Sequence, residues 1–362
     1  MIFEQIPAQM VMFFIIYGIT GAIPFIAAVY LLLRRGNAFA PGLEPPLRLR
    51  RWTAAFFLVS ALGHVWWYLF YVYSGDVHSP FYVLVAVFDC VGLLTTIAGT
   101  LLSMLQDRRR PVWPVLAALS PILPLGVLHL FNTDDLVMNL TTIYILAFYV
   151  LFSVYVVYSA RRYGRWLNEN FADLENKKVW LIQVVSLVCL LLIILYALVD
   201  TDMVLIYLLH IIELVLFGLL LWRVETLPQL ELPVQIQTQQ EPIVPANIDL
   251  TQIEQLLAEH CVDTQLYLQH DLTLQQLAQS VGTNRFYLSQ YFSRQGITYN
   301  TYINNLRINY FISRYNELSQ SDEPVVAQKL ASESGYRSYS TFSLAFKQRM
   351  GLTVTAFFRR DS

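Results

Sequence analysis

Leu277-Ala278-x3-Gly282, followed by Leu288-Ser289-x2-Phe292 and Gly296-x-Thr298, returns later in the chain as Leu330-Ala331-x3-Gly335, Phe342-Ser343-x2-Phe346 and Gly351-x-Thr353. The offsets are 53, 54 and 55 residues, so each turn has gained about one residue, as expected of a duplicated unit. Each copy has the grammar of a helix-turn-helix. In the first, Thr273-x-x-Gln276 forms a capping box. Leu274 and Leu277 face inward, Ala278 leaves room for a crossing helix, and Gly282 supplies the left-handed residue past the helix end. A second helix begins near Asn284. In the other copy, Asp322 and Pro324 suit a helix start, while Val326, Leu330 and Ala331 line the inner face. Gly335 ends that helix and Ser338 caps the next. Between the copies, Tyr302, Ile303, Leu306, Tyr310 and Phe311 form one apolar stripe on a long helix that fixes their spacing.

N-terminal to this segment the composition changes. The 362 residues are 56% apolar and only 14% charged, against about 25% charged in a typical soluble domain. That excludes an ordinary soluble enzyme. Seven apolar stretches reach spanning length, at about 20 residues each: 10–33, 53–73, 80–105, 111–131, 136–160, 179–199 and 203–222. The first lacks a basic leader region and is followed by Arg34-Arg35, so it reads as a span rather than a cleaved signal. The fourth carries Pro111, Pro114, Pro121 and Pro124 and must be kinked. Residues 1–247 hold fourteen Lys or Arg, and all fall in the loops after spans one, three, five and seven. The other loops carry Asp76, Asp134, Asp135, Asp200 and Asp202 instead. By the positive-inside rule the N-terminus is outside and everything after Arg223 is cytoplasmic.

Ionisable groups inside the spans cost a few kcal/mol unless paired. They are His64 on span two, Asp89 on span three, His129 near the end of span four, and His210 with Glu213 on one face of span seven. His64, Asp89, His210 and Glu213 are candidates for a polar pocket that takes a ligand or proton. The alternative is interhelical hydrogen bonding that only holds the bundle together. No metal-spacing motif links the four, so no metal site is expected. Only four lysines exist (Lys177, Lys178, Lys329 and Lys347) and none lies in a span, which excludes a retinal Schiff base. Cys90, Cys189 and Cys261 form no disulfide or zinc pattern and read as buried thiols.

Residues 265–360 resemble the DNA-binding domain of the AraC family of bacterial transcription regulators. The resemblance rests on Leu272-Thr-Leu-Gln-Gln-Leu-Ala278, Leu288-Ser-Gln-Tyr-Phe292, Tyr302-Ile-Asn-Asn-Leu-Arg-Ile308, Gly335-Tyr-Arg-Ser338, Thr341-Phe-Ser-Leu-Ala-Phe-Lys347 and Gly351-Leu-Thr. It implies base-reading positions at Arg285, Phe286, Ser289 and Gln290 in a first recognition helix. In a second they are Tyr339, Ser340, Thr341, Ser343 and Leu344, with Lys347 on a phosphate. The two helices would enter major-groove segments about 34 Å apart. Leu344 departs from the polar residue usual there, which leaves contact with a thymine methyl. Phe286, Tyr339 and Leu344 have the alternative of facing neighbouring helices. Charge favours DNA: residues 285–362 hold ten basic and five acidic groups, a net of +5, whereas 248–284 hold five acidic and none basic.

The expected fold is all-α. It comprises a seven-helix transmembrane bundle (1–223), a flexible linker (224–247) and a soluble all-helical domain with two helix-turn-helix units (248–362). The expected function is that of a multi-pass regulator in the bacterial inner membrane. It would bind double-stranded promoter DNA under control of an unknown small-molecule or membrane signal, with a homodimer compatible. No phosphate loop, metalloprotease motif or nucleophile elbow is present, so neither catalysis nor a cofactor is expected. The alternative is a transporter or channel with an attached DNA-binding reporter domain.

Overall fold

The computed structural model describes residues 8–34, 37–39, 43–76, 79–131, 135–196, 203–230, 250–320 and 325–361. Among these residues the architecture is all-helical. The chain divides into two compact units. One holds Met1–Tyr163 and Val179–Leu232, and the other Gly164–Lys178 and Pro233–Ser362.

The first unit contains α1 (Ala8–Leu33), α2 (Leu47–Tyr73), α3 (Pro80–Ser103), α4 (Trp113–Leu119), α5 (Ile122–Phe131), most of α6 (Asp135–Asn170), α7 (Trp180–Tyr196) and α8 (Met203–Thr226). Among the described residues, six spans are long and apolar enough to cross a membrane: α1, α2, α3, the α4–α5 pair, α6 and α8. The expectation was seven. The stretch 179–199 appears as α7, which has 17 residues, and 197–202 lie outside the described residues. The Pro-rich fourth span breaks at Ser120-Pro121 into α4 and α5, because proline offers no N–H to the preceding turn and its ring crowds it. Large apolar side chains point outward, with Leu151 and Val204 71% and 72% exposed. Such a surface suits lipid rather than water.

Small residues bring these helices together. A Cβ at Gly99 would stand 2.3 Å from the Trp52 ring, and one at Gly126 2.7 Å from Val87 Cγ2. Of the basic residues after span three, Arg110 is buried and makes a paired contact with Asp107 at 2.7 and 3.0 Å. The expected linker begins as packed chain. Val224 and Leu227 are buried, Gln229 N donates to Glu44 O at 2.9 Å, and the Gln106 side chain bonds Pro228 and Leu230. Linker residues 231–247 lie outside the described residues. Cys189 and Cys261 are buried as expected, but Cys90 is half-buried.

The second unit holds α9 (Leu250–Leu257), α10 (Leu274–Ser280), α11 (Arg285–Arg294), α12 (Tyr299–Gln320), α13 (Ala327–Glu333), α14 (Tyr339–Met350) and α15 (Val354–Asp361). The capping box Thr273–Gln276 forms as expected, and Gly282 and Gly335 take φ of +74° and +88° past the ends of α10 and α13. Val326 precedes α13 without a side-chain cap; Asp322 and Pro324 lie outside the described residues. The stripe on α12 serves two cores rather than one. Tyr299 and Ile303 join Leu274, Leu277, Leu288 and Phe292 in the first core. Ile308, Phe311 and Tyr315 join Leu330, Phe342 and Phe346 in the second. Leu306 and Tyr310, expected in the stripe, are only partly buried at the margin of the first core. Each fully buried Leu, Ile or Phe stabilises by about 1.5–3 kcal/mol, so α12 is held from both ends.

Candidate functional site

The second unit presents two helices as candidate readers of DNA. Asn284 Oδ1 accepts the Tyr287 N–H at 3.0 Å and starts α11. Leu288, Tyr291 and Phe292 turn into the core, so the helical period leaves the other face outward. On that face Phe286 is 69% exposed, Gln290 is exposed, and Arg285 and Ser289 are half-buried. Likewise Ser338 Oγ accepts the Thr341 N–H at 3.3 Å and starts α14, which buries Phe342 and Phe346. Tyr339, Ser340, Leu344 and Lys347 are exposed, and Thr341 and Ser343 are half-buried. Phe286 and Leu344 therefore point away from the core. Tyr339 is exposed but also rests its ring 5.7 Å from that of Phe342.

A segment far away in sequence completes this unit. Phe171 pairs with Thr273 in an antiparallel bridge, and Ala172 N donates to Leu272 O at 3.1 Å. The Asn300 amide donates to Phe171 O at 3.1 Å and Ala172 O at 2.7 Å. Ala172 belongs to the first core. Asp271 bridges Lys177 Nζ at 3.3 Å and the Arg337 guanidinium at 2.5 Å. On α14, Thr341 Oγ1 donates to Glu175 Oε2 at 3.3 Å. On α11, burial lowers the Arg285 pKa while the field of Glu169 opposes that shift. Acidic side chains of 169–175 thus act on both candidate reading helices. Nothing in the local sequence of this segment signals that role; only its place in the fold does.

In the first unit, three of the four candidate polar residues converge. His64 comes from α2, and His210 and Glu213 from α8. Glu213 Oε2 lies 3.1 Å from His210 Nδ1 and 3.8 Å from His64 Nε2. Thr20 of α1, fully buried, adds its hydroxyl 3.1 Å from His64 Nε2 and 3.4 Å from His210 Nδ1. His64 Nδ1 lies 2.9 Å from Ser60 O. A carbonyl only accepts, so Nδ1 carries a proton, and in the neutral ring Nε2 is the nitrogen that offers a lone pair to the cluster. Tyr17 OH donates to His64 O at 2.6 Å. A Cβ at Gly21 would meet His64 Cβ at 3.3 Å, so the glycine lets α1 approach the imidazole. Asp89 stands beside the cluster rather than in it. It accepts the Trp67 indole N–H at 3.1 Å and would meet a Cβ at Gly63 at 2.6 Å. The expected juxtaposition thus forms for His64, His210 and Glu213. His129 lies elsewhere, its ring 6.3 Å from that of Tyr82. Thr20 and Tyr17 are not legible in the sequence, because a hydroxyl in an apolar span more often only packs or bonds its own helix, and Ser60 contributes only its backbone carbonyl.

Against known proteins, residues 277–360 match a family model described as a helix-turn-helix domain. Neither a curated protein nor a solved structure matches the chain. The match runs from Leu277 in α10 through α11 to α14 and nearly all of α15, and it supports a DNA-binding transcription regulator.

Proposed function

We propose that this protein is a membrane-bound one-component transcription regulator. Residues 1–223 form a seven-span sensor in a bacterial inner membrane, with the N-terminus outside. Residues 248–362 form a cytoplasmic DNA-binding domain of two helix-turn-helix units, reached through 224–247. The bases of double-stranded promoter DNA are read by Arg285, Phe286, Ser289 and Gln290 on one helix. Tyr339, Ser340, Thr341, Ser343 and Leu344 read on the other, and Lys347 holds a phosphate. The observation that carries the reading is the union in one chain of the helix-turn-helix match at 277–360 with, among the described residues, six helical spans of membrane-crossing length. No catalytic step or cofactor is part of it, and the regulator works as a monomer or a homodimer.

Communication runs through 164–178, which belongs to the same compact unit as the reading helices and to the loop after span five. Its Glu169 and Glu175 act on Arg285 and Thr341. Carboxylates there compete with the phosphates of DNA, so the segment restrains binding until a signal at the spans shifts α6.

The test selects target DNA with the full chain in lipid nanodiscs and footprints it. Arg285→Ala with Gln290→Ala abolishes the specific footprint and leaves weak, salt-sensitive binding. An unchanged footprint removes α11 as a reading helix.

A transporter with an attached reporter is the second reading, favoured by the broken span α4–α5, since transport sites use interrupted helices. Flux in proteoliposomes that Glu213→Gln abolishes would support it.

A further inference from the structure

We infer that His64, His210 and Glu213, with the Thr20 hydroxyl, form a binding site for a first-row divalent metal cation, zinc by preference, inside the membrane bundle. The three ligand atoms all lie within 4.8 Å of one another. Ligands bound to zinc at about 2.0–2.2 Å in a tetrahedron stand roughly 3.3–3.6 Å apart. The observed 3.1 and 3.8 Å to Glu213 bracket that spacing, and with the third separation within 4.8 Å rotamer shifts of about an ångström close the set. Two imidazoles and one carboxylate suit zinc and its neighbours, not magnesium or calcium, which prefer all-oxygen shells.

The hydrogen-bond arithmetic points the same way. In the neutral ring His64 presents Nε2 as its lone pair, because Nδ1 donates to Ser60 O, the outer bond that fixes a metal-binding histidine. Glu213 Oε2 accepts only. The Thr20 hydroxyl has one proton for Ile16 O, Tyr17 O and His64 Nε2, at 3.0, 3.0 and 3.1 Å. His210 Nδ1 faces Glu213 Oε2 at 3.1 Å, and a cation in place of the protons takes the lone pairs of His64, His210 and Glu213 together. His210 and Glu213 stand three residues apart on one face of α8, the spacing by which helix bundles offer two ligands from a single helix. The Glu213 carboxylate offsets part of a divalent charge that is expensive in a bilayer. Thr20 or a water takes the fourth position.

The site stands on its own geometry. Only its consequence, that the cation is the signal that adjusts DNA binding, rests on the regulatory reading above. The experiment separates the two. Full-length protein in nanodiscs is stripped with a chelator and titrated with Zn²⁺, and with Co²⁺ as a spectroscopic probe, without DNA. Wild type takes up about one zinc per chain and gives the intense visible absorption of four-coordinate cobalt. His64→Ala, His210→Ala and Glu213→Gln each lose that uptake, while Thr20→Val weakens it about tenfold or more. Asp89→Asn keeps the ligands and retains binding. Because a variant can fail to fold, melting is followed as well: zinc raises the melting temperature of wild type but not of folded ligand variants. Zinc uptake equal in wild type and a folded His64→Ala His210→Ala double variant, or none in wild type, would falsify the site; no uptake in wild type means that the cluster holds only a proton. Footprinting with and without zinc is scored separately. Uptake with an unaltered footprint keeps the metal site and removes its regulatory role.

Discussion

Arg307 joins the two halves of the DNA-binding unit. It is 1% exposed. Its Nε and one terminal nitrogen donate to Tyr267 O and Gln269 O, each at 2.7 Å, and its guanidinium lies 5.4 Å over the Tyr336 ring. Tyr336 belongs to the second core, whereas Tyr267 belongs to the first. Burial lowers the Arg307 pKa, and the fields of Tyr336, Tyr299, Asp173 and Asp271 oppose that shift. Gly335 makes the approach possible. A Cβ there would stand 2.8 Å from Leu268 O and 2.9 Å from Arg307 Nε, at φ +88°. Gly282 holds the matching place in the first copy at φ +74°, but a Cβ there meets nothing within 4 Å. Gly282→Ala therefore costs only left-handed strain, about 1 kcal/mol. Gly335→Ala adds the clash and costs about 2–3 kcal/mol. Thermal unfolding of the two full-length variants, followed by near-ultraviolet circular dichroism, checks the difference. Equal losses would mean that Leu268 and Arg307 yield freely.

Among the elements, α14 carries an interaction that its own sequence does not announce. Thr341 is a candidate base reader, yet its hydroxyl is spent on Glu175. The pair is partly exposed, so its direct worth is about 1 kcal/mol or less. Glu175→Gln removes a negative charge from a surface that must receive phosphates, and the full chain then binds DNA roughly threefold to fivefold tighter at low salt. Glu175→Lys goes further in the same direction. Fluorescence anisotropy with a labelled duplex over a salt series measures both, and unchanged affinity in the pair of variants removes the restraint assigned to this segment. Helix α12 was legible as a long element because its apolar residues recur at helical spacing. Its division between two cores was not, since periodicity shows that a face is buried but not against what. Arg307 sits in the same buried row as Tyr299, Ile303, Phe311 and Tyr315, where a charged residue read from sequence belongs on the outside.

For the whole molecule, the basic residues define a topology that can be checked. A reporter active only outside the membrane is silent when fused after Arg223 and active when fused after Asp76, on the loop between spans two and three. Activity after Arg223 alone would reverse the orientation, and activity after both points would leave an even number of spans. That outcome bears on α7, whose 17 residues fall short of the other spans, and on the stretch that follows it. α6 has the opposite excess. Its 36 residues extend about 54 Å, well beyond a hydrocarbon core of about 30 Å, and its last seven belong to the unit that holds the reading helices. Charge counting saw the basic residues at 161–165 but could not see that the chain beyond them folds with residues 250–361.

Local rules operate within a few residues, and those were settled by the sequence: the apolar spans, the caps at Thr273, Asn284 and Ser338, the left-handed glycines and the duplicated Leu-Ala-x3-Gly pattern. A hydrogen bond from a side chain to the third residue onward, or an apolar run of 20, needs no distant partner to be recognised. The tertiary structure decided which separated residues meet. It set His64 beside His210 and Glu213, left Asp89 on Trp67, buried Arg307 between two cores and brought Glu175 to Thr341. These outcomes depend on helix rotation and close approach, through residues as small as Gly21, Gly63 and Gly335, and a one-dimensional pattern does not encode the rotation of one helix against another.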